Sequence, residues 1–415
     1  MSSSSRNARR ARMRMKPCAP YALLTAAATF ASAGHAAQTY WQPTLEARVE
    51  GHTNRDLVPE DEEEMIGYFA DLGVTWGRLT ERSETRIRPR VRIQEFPDRK
   101  RLQRTEEFLD VITGYDTQRT EFDLIARYSR RDAYTAELLQ PGFDPVDPSI
   151  PNQSGDTGRL LVDQTRTAYS LRPTITHRFT ERNGIAANVV GESVDYQSEV
   201  PVTQVDFKFA SAEVAWLRQL DERTSLTFGP FVSRYDAEGG DETDAYGARL
   251  TWNREWSERS RIALIFGAQT ENTTRFVDVA IDQTDTSWEA LLRLERDTTT
   301  GLLRLDFGRA ITPSGSGSLA DNDQINFEYR RALSPRWNSK TALRAERVRA
   351  HNQFAANDDR DTAGLALSLT WAMTPTWALS GGYEFIWRDF VRDDDDALDN
   401  AVFLSMTFRG RGPRT

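Results

Sequence analysis

The residues of this chain best suited to chemistry are arginines. Between Thr85 and Phe96, Arg86, Arg88, Arg90 and Arg92 alternate with Ile87, Pro89, Val91 and Ile93. Side chains of an extended segment point to opposite faces with period two, so four guanidinia share one face and four apolar groups the other. Like charges side by side repel unless water, anions or carboxylates compensate them. Such a row binds carboxylate or phosphate in forked geometry, and in a pore wall it draws anions. Candidate counter-charges lie in a long proline-bearing segment near 131–164, which holds Glu137, Asp144, Asp147 and Asp156. Wall acids such as Asp71, Asp110 and Asp123 are the alternative partners.

Groupings for catalysis are missing. Beyond the amino-terminal leader the histidines are His52, His177 and His351; no pair has zinc-ligand spacing and none adjoins a nucleophile motif. They read as surface histidines, with His52 and His351 in loops. The sole cysteine, Cys18, falls inside the leader, which leaves the remaining chain without thiolate sites or disulfides. The sequence therefore predicts a non-enzyme with no catalytic residue, metal site or cofactor.

The elements that carry these residues are strands. Hydrophobic content is 39%, mean hydropathy is −0.60, and no run of ~18 apolar residues exists, which excludes a helical membrane protein. A net charge of −9 argues against nucleic acid as a partner. From Ile66 to Trp76 the even positions are Ile66, Tyr68, Ala70, Leu72, Val74 and Trp76, and the odd ones are smaller or more polar apart from Phe69. The same alternation recurs over 122–128, 246–256, 288–294 and 363–373. Short turns such as Thr80-Glu81-Arg82-Ser83, Asp221-Glu222-Arg223-Thr224 and Ser334-Pro335-Arg336-Trp337 alternate with longer acidic or glycine-rich loops. This predicts an all-β fold, a transmembrane antiparallel up-and-down β-barrel of about eighteen strands with both termini periplasmic. The loop over 131–164 follows the fifth strand and is the third on the outer side. Pro89, on a central strand, predicts a local bulge.

The leader has a basic start (Arg9, Arg10, Arg12, Arg14, Lys16), an apolar core over 21–30 and a small-residue zone near Ala36-Ala37. It reads as a signal peptide over 1–37, cleaved on export. The barrel then occupies 38–408, with a periplasmic tail over 409–415. Trp76, Trp216, Trp252 and Trp371 fall near strand ends that run into short turns, on the apolar face. They form a predicted lipid-interface belt, and Arg78, Arg218, Arg254, Arg296 and Arg331 just beyond can snorkel to phosphates. The remaining inward charges read chiefly as salt-bridged wall. The acidic runs Glu60–Glu64 and Asp393–Asp396 read as solvated outer loops, or as cation bridges to lipopolysaccharide.

With strands and turns in place, the chain resembles a family of outer-membrane β-barrel porins often associated with exopolysaccharide or exosortase loci. The resemblance rests on Tyr40-Trp41-Gln42-Pro43, on Ser334-Pro335-Arg336-Trp337 and Thr374-Pro375-Thr376-Trp377, and on the closing strand Ala401–Phe408. It implies a bacterial outer-membrane location and passage of small polar solutes or anionic saccharides. A role in polysaccharide export, beside envelope export machinery, is the second implied function. Outer-membrane lipid, lipopolysaccharide and the barrel-assembly machinery are the implied partners. In general diffusion porins the loop at this place in strand order folds inward. By that analogy Glu137, Asp144, Asp147 and Asp156 would face the arginine ladder across a constriction.

Overall fold

Alternation and turn chemistry together dictate a meander in which every strand pairs with its sequence neighbours. The computed structural model describes residues 37–59, 63–97, 99, 102–138, 140–144, 164–198, 204–276, 280–351, 359–390 and 395–412. Its strands are β1 (Gln38–His52), β2 (Met65–Leu79), β3 (Ser83–Glu95), β4 (Arg104–Asp116), β5 (Thr120–Asp132) and β6 (Gln164–Arg178). There follow β7 (Asn183–Ser198), β8 (Phe207–Asp221), β9 (Thr224–Ala237), β10 (Asp241–Ser257), β11 (Ser260–Phe276) and β12 (Ala280–Thr298). The last six are β13 (Gly301–Pro313), β14 (Leu319–Ser334), β15 (Trp337–Ala350), β16 (Arg360–Ala372), β17 (Trp377–Phe390) and β18 (Asp395–Arg409). One helical turn, α1 (Ala133–Glu137), lies between β5 and β6. All pairings are antiparallel, and β1 pairs with β18 from Thr44↔Arg409 to His52↔Ala401, which closes an 18-stranded barrel without edges. Both ends of this barrel chain lie at the end that carries the short turns.

Those turns are built alike. In several of them the leading hydroxyl accepts the N–H three residues on: Thr80 from Ser83 at 2.9 Å, Thr117 from Thr120 at 2.9 Å, Thr180 from Asn183 at 3.1 Å, Thr374 from Trp377 at 3.0 Å. The turn's third carbonyl is then taken by the neighbouring hairpin. Asp116 N–H donates to Arg82 O at 2.7 Å, Gln219 to Arg182 at 2.8 Å, and Asp297 to Arg259 at 2.7 Å. Each turn is thereby satisfied on both sides.

Pro89 does not make the bulge that its ring suggests. The β2–β3 register lapses after Gly73↔Arg90 and resumes unshifted at Trp76↔Ile87, while Pro89 still pairs with Leu109 on β4. The ring only deletes bonds on one side, because its missing N–H would have faced β2. The register shifts that do occur sit beside short turns, at Gln219/Asp221, Glu255/Ser257 and Ala332/Ser334.

The outward face is apolar in a band with sharp edges. On β13 to β17 one cross-strand row reads Arg309↔Asp323↔Arg347↔Asp361↔Asp389. The next row toward the short turns reads Phe307↔Ile325↔Ala345↔Ala363↔Trp387, and the band ends at Trp337↔Trp371. From Ala363 to Trp371 is eight steps of ~3.4 Å, or roughly 27 Å along the strand. A tilt near 40° reduces that to about 21 Å, close to the ~25 Å apolar height of barrels that sit in membranes.

Candidate functional site

The barrel register places Arg86, Arg88, Arg90 and Arg92 on the inward face of β3, opposite the exposed Val91 and Ile93. Their partners come from neighbouring strands. Arg88 donates to Asp110 of β4 through both Nε (3.1 Å) and an Nη (2.9 Å). Arg92 Nε donates to Asp71 of β2 at 3.0 Å and lies 3.9 Å from Glu106 of β4. Arg90 shares Asp71 at 3.5 Å and stacks on the Phe108 ring, 4.1 Å from its centroid. Arg86 pairs with Glu84 at 3.0 Å on its own strand. The ladder is thus held by wall acids. Asp71 and Asp110 stand directly across from Arg92 and Arg88 in the register, so they reach the guanidinia before any loop residue can. Asp123 lies on β5 and borders a depression of about 440 Å³ with Arg172, Asn188 and Glu213.

The long third loop does enter the barrel in its described part, 133–138 and 140–144, but it serves other partners. Asp132 accepts the Tyr134 N–H at 3.1 Å and so caps α1, whose five residues are all buried. Tyr134 is fully buried under the guanidinium of Arg55, which reaches in from the β1–β2 loop and also covers Phe96. Thr135 donates to Glu106, the acid that also lies near Arg92. Glu137 is buried and within electrostatic reach of Arg388 on β17.

Beyond the helix, two consecutive residues touch opposite walls. Asp144 accepts from Arg127 of β5 at 2.9 Å, while Phe143 N–H donates to Glu328 of β14 at 3.3 Å. In an eighteen-membered ring β5 and β14 stand half a turn apart. Phe143 is 3% exposed, with Arg304 of β13 facing its ring, and a Cβ on Gly142 would meet Glu328 at 2.7 Å and Lys340 of β15 at 3.3 Å. Gly142 has φ +105°, so the strap's close approach to the far wall needs glycine. Residues 142–144 therefore bridge the lumen from side to side. Asp147 and Asp156 lie outside the described residues.

The mouth opposite the short turns is narrowed as well. Val194, Tyr196, Phe207, Tyr235, Ala237 and Leu319 form a buried apolar cluster that joins β7–β9 to β14. The β13–β14 loop reaches over to them: Val205 N–H donates to Gly315 O and Asp241 N–H to Gly317 O, both at 2.8 Å. None of this was visible in the alternation of apolar residues. The glycine–serine run over 313–318, legible only as a loop, was its one signal.

Neither His52 nor His351 is the solvated surface group its sequence context suggests. His52 is the last residue of β1 and sits between Asp399 (2.7 Å) and Glu50 (3.0 Å). His351 follows β15 and bridges Asp321 of β14 and Glu271 of β11, at 2.9 Å each. The hydrogen bond to Asp321 and the ion pair with Glu271 push its pKa up to about 10, so the imidazolium persists at neutral pH. His177 holds a β6 position near a short turn, bonded to Thr120 at 2.9 Å and edge-on to Phe179.

Trp216 is 50% exposed on the outer surface and Trp371 stacks on Trp337 with centroids 5.9 Å apart. Trp76 pairs across β1–β2 with the exposed Trp41, and Trp252 shares the outward face of β10 with Trp256. The girdle at the short-turn end thus includes Trp41, Trp256, Trp337 and Trp377 besides the four tryptophans singled out from sequence. No group of three or more His, Cys, Asp or Glu with metal-binding geometry occurs among the described residues.

No protein-family model matches this chain, and no curated protein matches it. Similar solved structures include the outer membrane protein opdK from Pseudomonas aeruginosa, at 12% identity and TM-score 0.43, covering 89% of this chain and 99% of that one. Acinetobacter baumannii OccAB4 is similar at 10% identity and TM-score 0.43, with 90% and 98% covered. The ferric-catecholate import receptor Fiu from E. coli K12 is similar at 8% identity and TM-score 0.40, with 88% and 81% covered.

Proposed function

We propose that this protein is a channel of the bacterial outer membrane that passes small polar or charged solutes through a wet, loop-narrowed lumen. One observation carries the reading: a closed barrel with an apolar outside and a charged inside, bridged at one level by a strap between β5 and β14. Charged side chains on the inner wall, such as Arg249 between Glu213 and Glu289, belong to a hydrated passage. In this reading the short turns face the periplasm, the leader over 1–37 is removed on export, and the tryptophan girdle marks the inner-leaflet headgroups. The strap favours small solutes over a polymer chain, because residues 142–144 occupy the middle of the bore. The arginine ladder lines one of the two spaces beside it, and Arg90, which shares Asp71 with Arg92, is its least compensated cation and the one to draw anions there.

Single-channel recording of the refolded protein in planar bilayers tests this. Discrete conductance steps are expected, with reversal potentials displaced toward cations in the Arg90→Ala/Arg92→Ala variant. Bilayers that stay silent would reject the channel, and unchanged selectivity in that variant would reject the ladder's part in it.

A further inference from the structure

Guanidinia inside the barrel are almost all tied to carboxylates, as the ladder, Arg127, Arg249, Arg293 and Arg304 show. At the short-turn rim the pattern reverses. Arg223, Arg259 and Arg296 converge there on one polar depression of about 680 Å³, with the hydroxyl residues Ser257, Ser260, Thr298 and Thr299. None of the three guanidinia makes an ion pair among the described residues, although Glu258 and Asp297 also border the depression.

The backbone that presents them is fixed. Glu255 N–H donates to Arg223 O at 2.8 Å and Asp297 N–H to Arg259 O at 2.7 Å, so three consecutive hairpins are tied together under the depression. Arg296 extends the outward face of β12 below Leu292 and Leu294, one hairpin from the 65%-exposed Trp256. Indole rings settle at the headgroup boundary, which sets the depression at the same level. Three guanidinia with no ion pair among the described residues, beside hydroxyls and at that depth, match a phosphodiester with its glycerol.

We propose that this rim depression is a binding site for the headgroup of an anionic glycerophospholipid in the leaflet facing the short turns. The inference rests on the membrane reading above. Its occupant is a lipid because Arg296, which lines the depression, continues the outward face of β12 that carries Leu292 and Leu294, against which acyl chains would lie.

The test is native mass spectrometry of the full barrel released from mixed phosphatidylglycerol and phosphatidylcholine nanodiscs. Wild type should retain phosphatidylglycerol at least five-fold over phosphatidylcholine. The variant Arg223→Gln/Arg259→Gln/Arg296→Gln should lose that preference. The control Arg82→Gln/Arg119→Gln/Arg336→Gln, on other hairpins, should keep it. Retention undiminished in the first variant, or equal loss in the control, would overturn the site. If inorganic phosphate or glycerol phosphate displaced the lipid at equal concentration, the depression would be a phosphate site and the lipid assignment would fail. A protein that enters no nanodisc would instead refute the membrane reading on which the site depends.

Discussion

At the scale of single residues, the inner wall is organised by which carboxylate reaches which cation first. Asp71 lies opposite Arg92, and that pairing follows from the short turn Thr80–Arg82, which sets Leu79 against Glu84 and each later pair in step. Asp71 is among the wall acids legible in the sequence as partners of the ladder, and register counted from the turn selects it for Arg92. The bond from Phe143 to Glu328, between residues 185 positions apart, had no such local signal. Asp144→Asn, which removes the charge facing Arg127, should loosen the strap and raise single-channel conductance by some tens of per cent. An unaltered conductance would show that the strap is held from the β14 side alone. His351 gives a pH-dependent prediction. Its folded-state pKa of about 10 exceeds the ordinary ~6.5, so its ion pairs stabilise fully below pH ~6.5 and fade as pH rises through 10. His351→Gln should lower the unfolding midpoint in detergent at pH 6, by an amount that shrinks toward zero near pH 10.5. A deficit that stayed constant across this range would mean that packing, not charge, is what the histidine supplies.

At the scale of elements, strands and turns were legible because both signals are local. Period-two alternation fixed the inward and outward faces, and hydroxyl-led turns such as Thr180–Asn183 fixed where hairpins reverse. The bulge expected at Pro89 was not found. Flanking pairs on β2 and β4 hold the register through the gap, so the proline costs bonds without costing alignment. This makes Pro89 a site where the barrel can be improved. Pro89→Val keeps an apolar group on the exposed face and restores an N–H toward Val74. One recovered backbone hydrogen bond contributes about 0.5–1.5 kcal/mol. Urea unfolding from lipid vesicles should show a stabilisation of that order, with amide exchange slowed at residues 73–76. If the variant were destabilised, the gap at Pro89 would have to relieve strain in the sheet.

At the scale of the whole molecule, the outward face divides into the Arg309–Asp361 row, an apolar band and the tryptophan girdle, and this layering carries the membrane reading. Its energetic consequence is a gradient along each strand. On β16, Leu367 stands midway, in the row Leu303↔Tyr329↔Thr341↔Leu367, while Ala363 stands two rows away, next to the charged row of Asp361. Arginine at the middle of a bilayer costs a barrel ~2–4 kcal/mol, and near the interface ~0–1 kcal/mol because the side chain reaches the phosphates. Leu367→Arg should therefore destabilise the folded barrel in vesicles by at least ~2 kcal/mol, and Ala363→Arg by less than ~1 kcal/mol. Both side chains leave the same strand toward the same surface, so propensity and turn chemistry are matched and depth is the variable. In a water-exposed barrel the two substitutions would differ little, since neither guanidinium would be withdrawn from solvent. Equal and small effects at both positions would thus place this surface in water and remove the ground for a bilayer-spanning barrel.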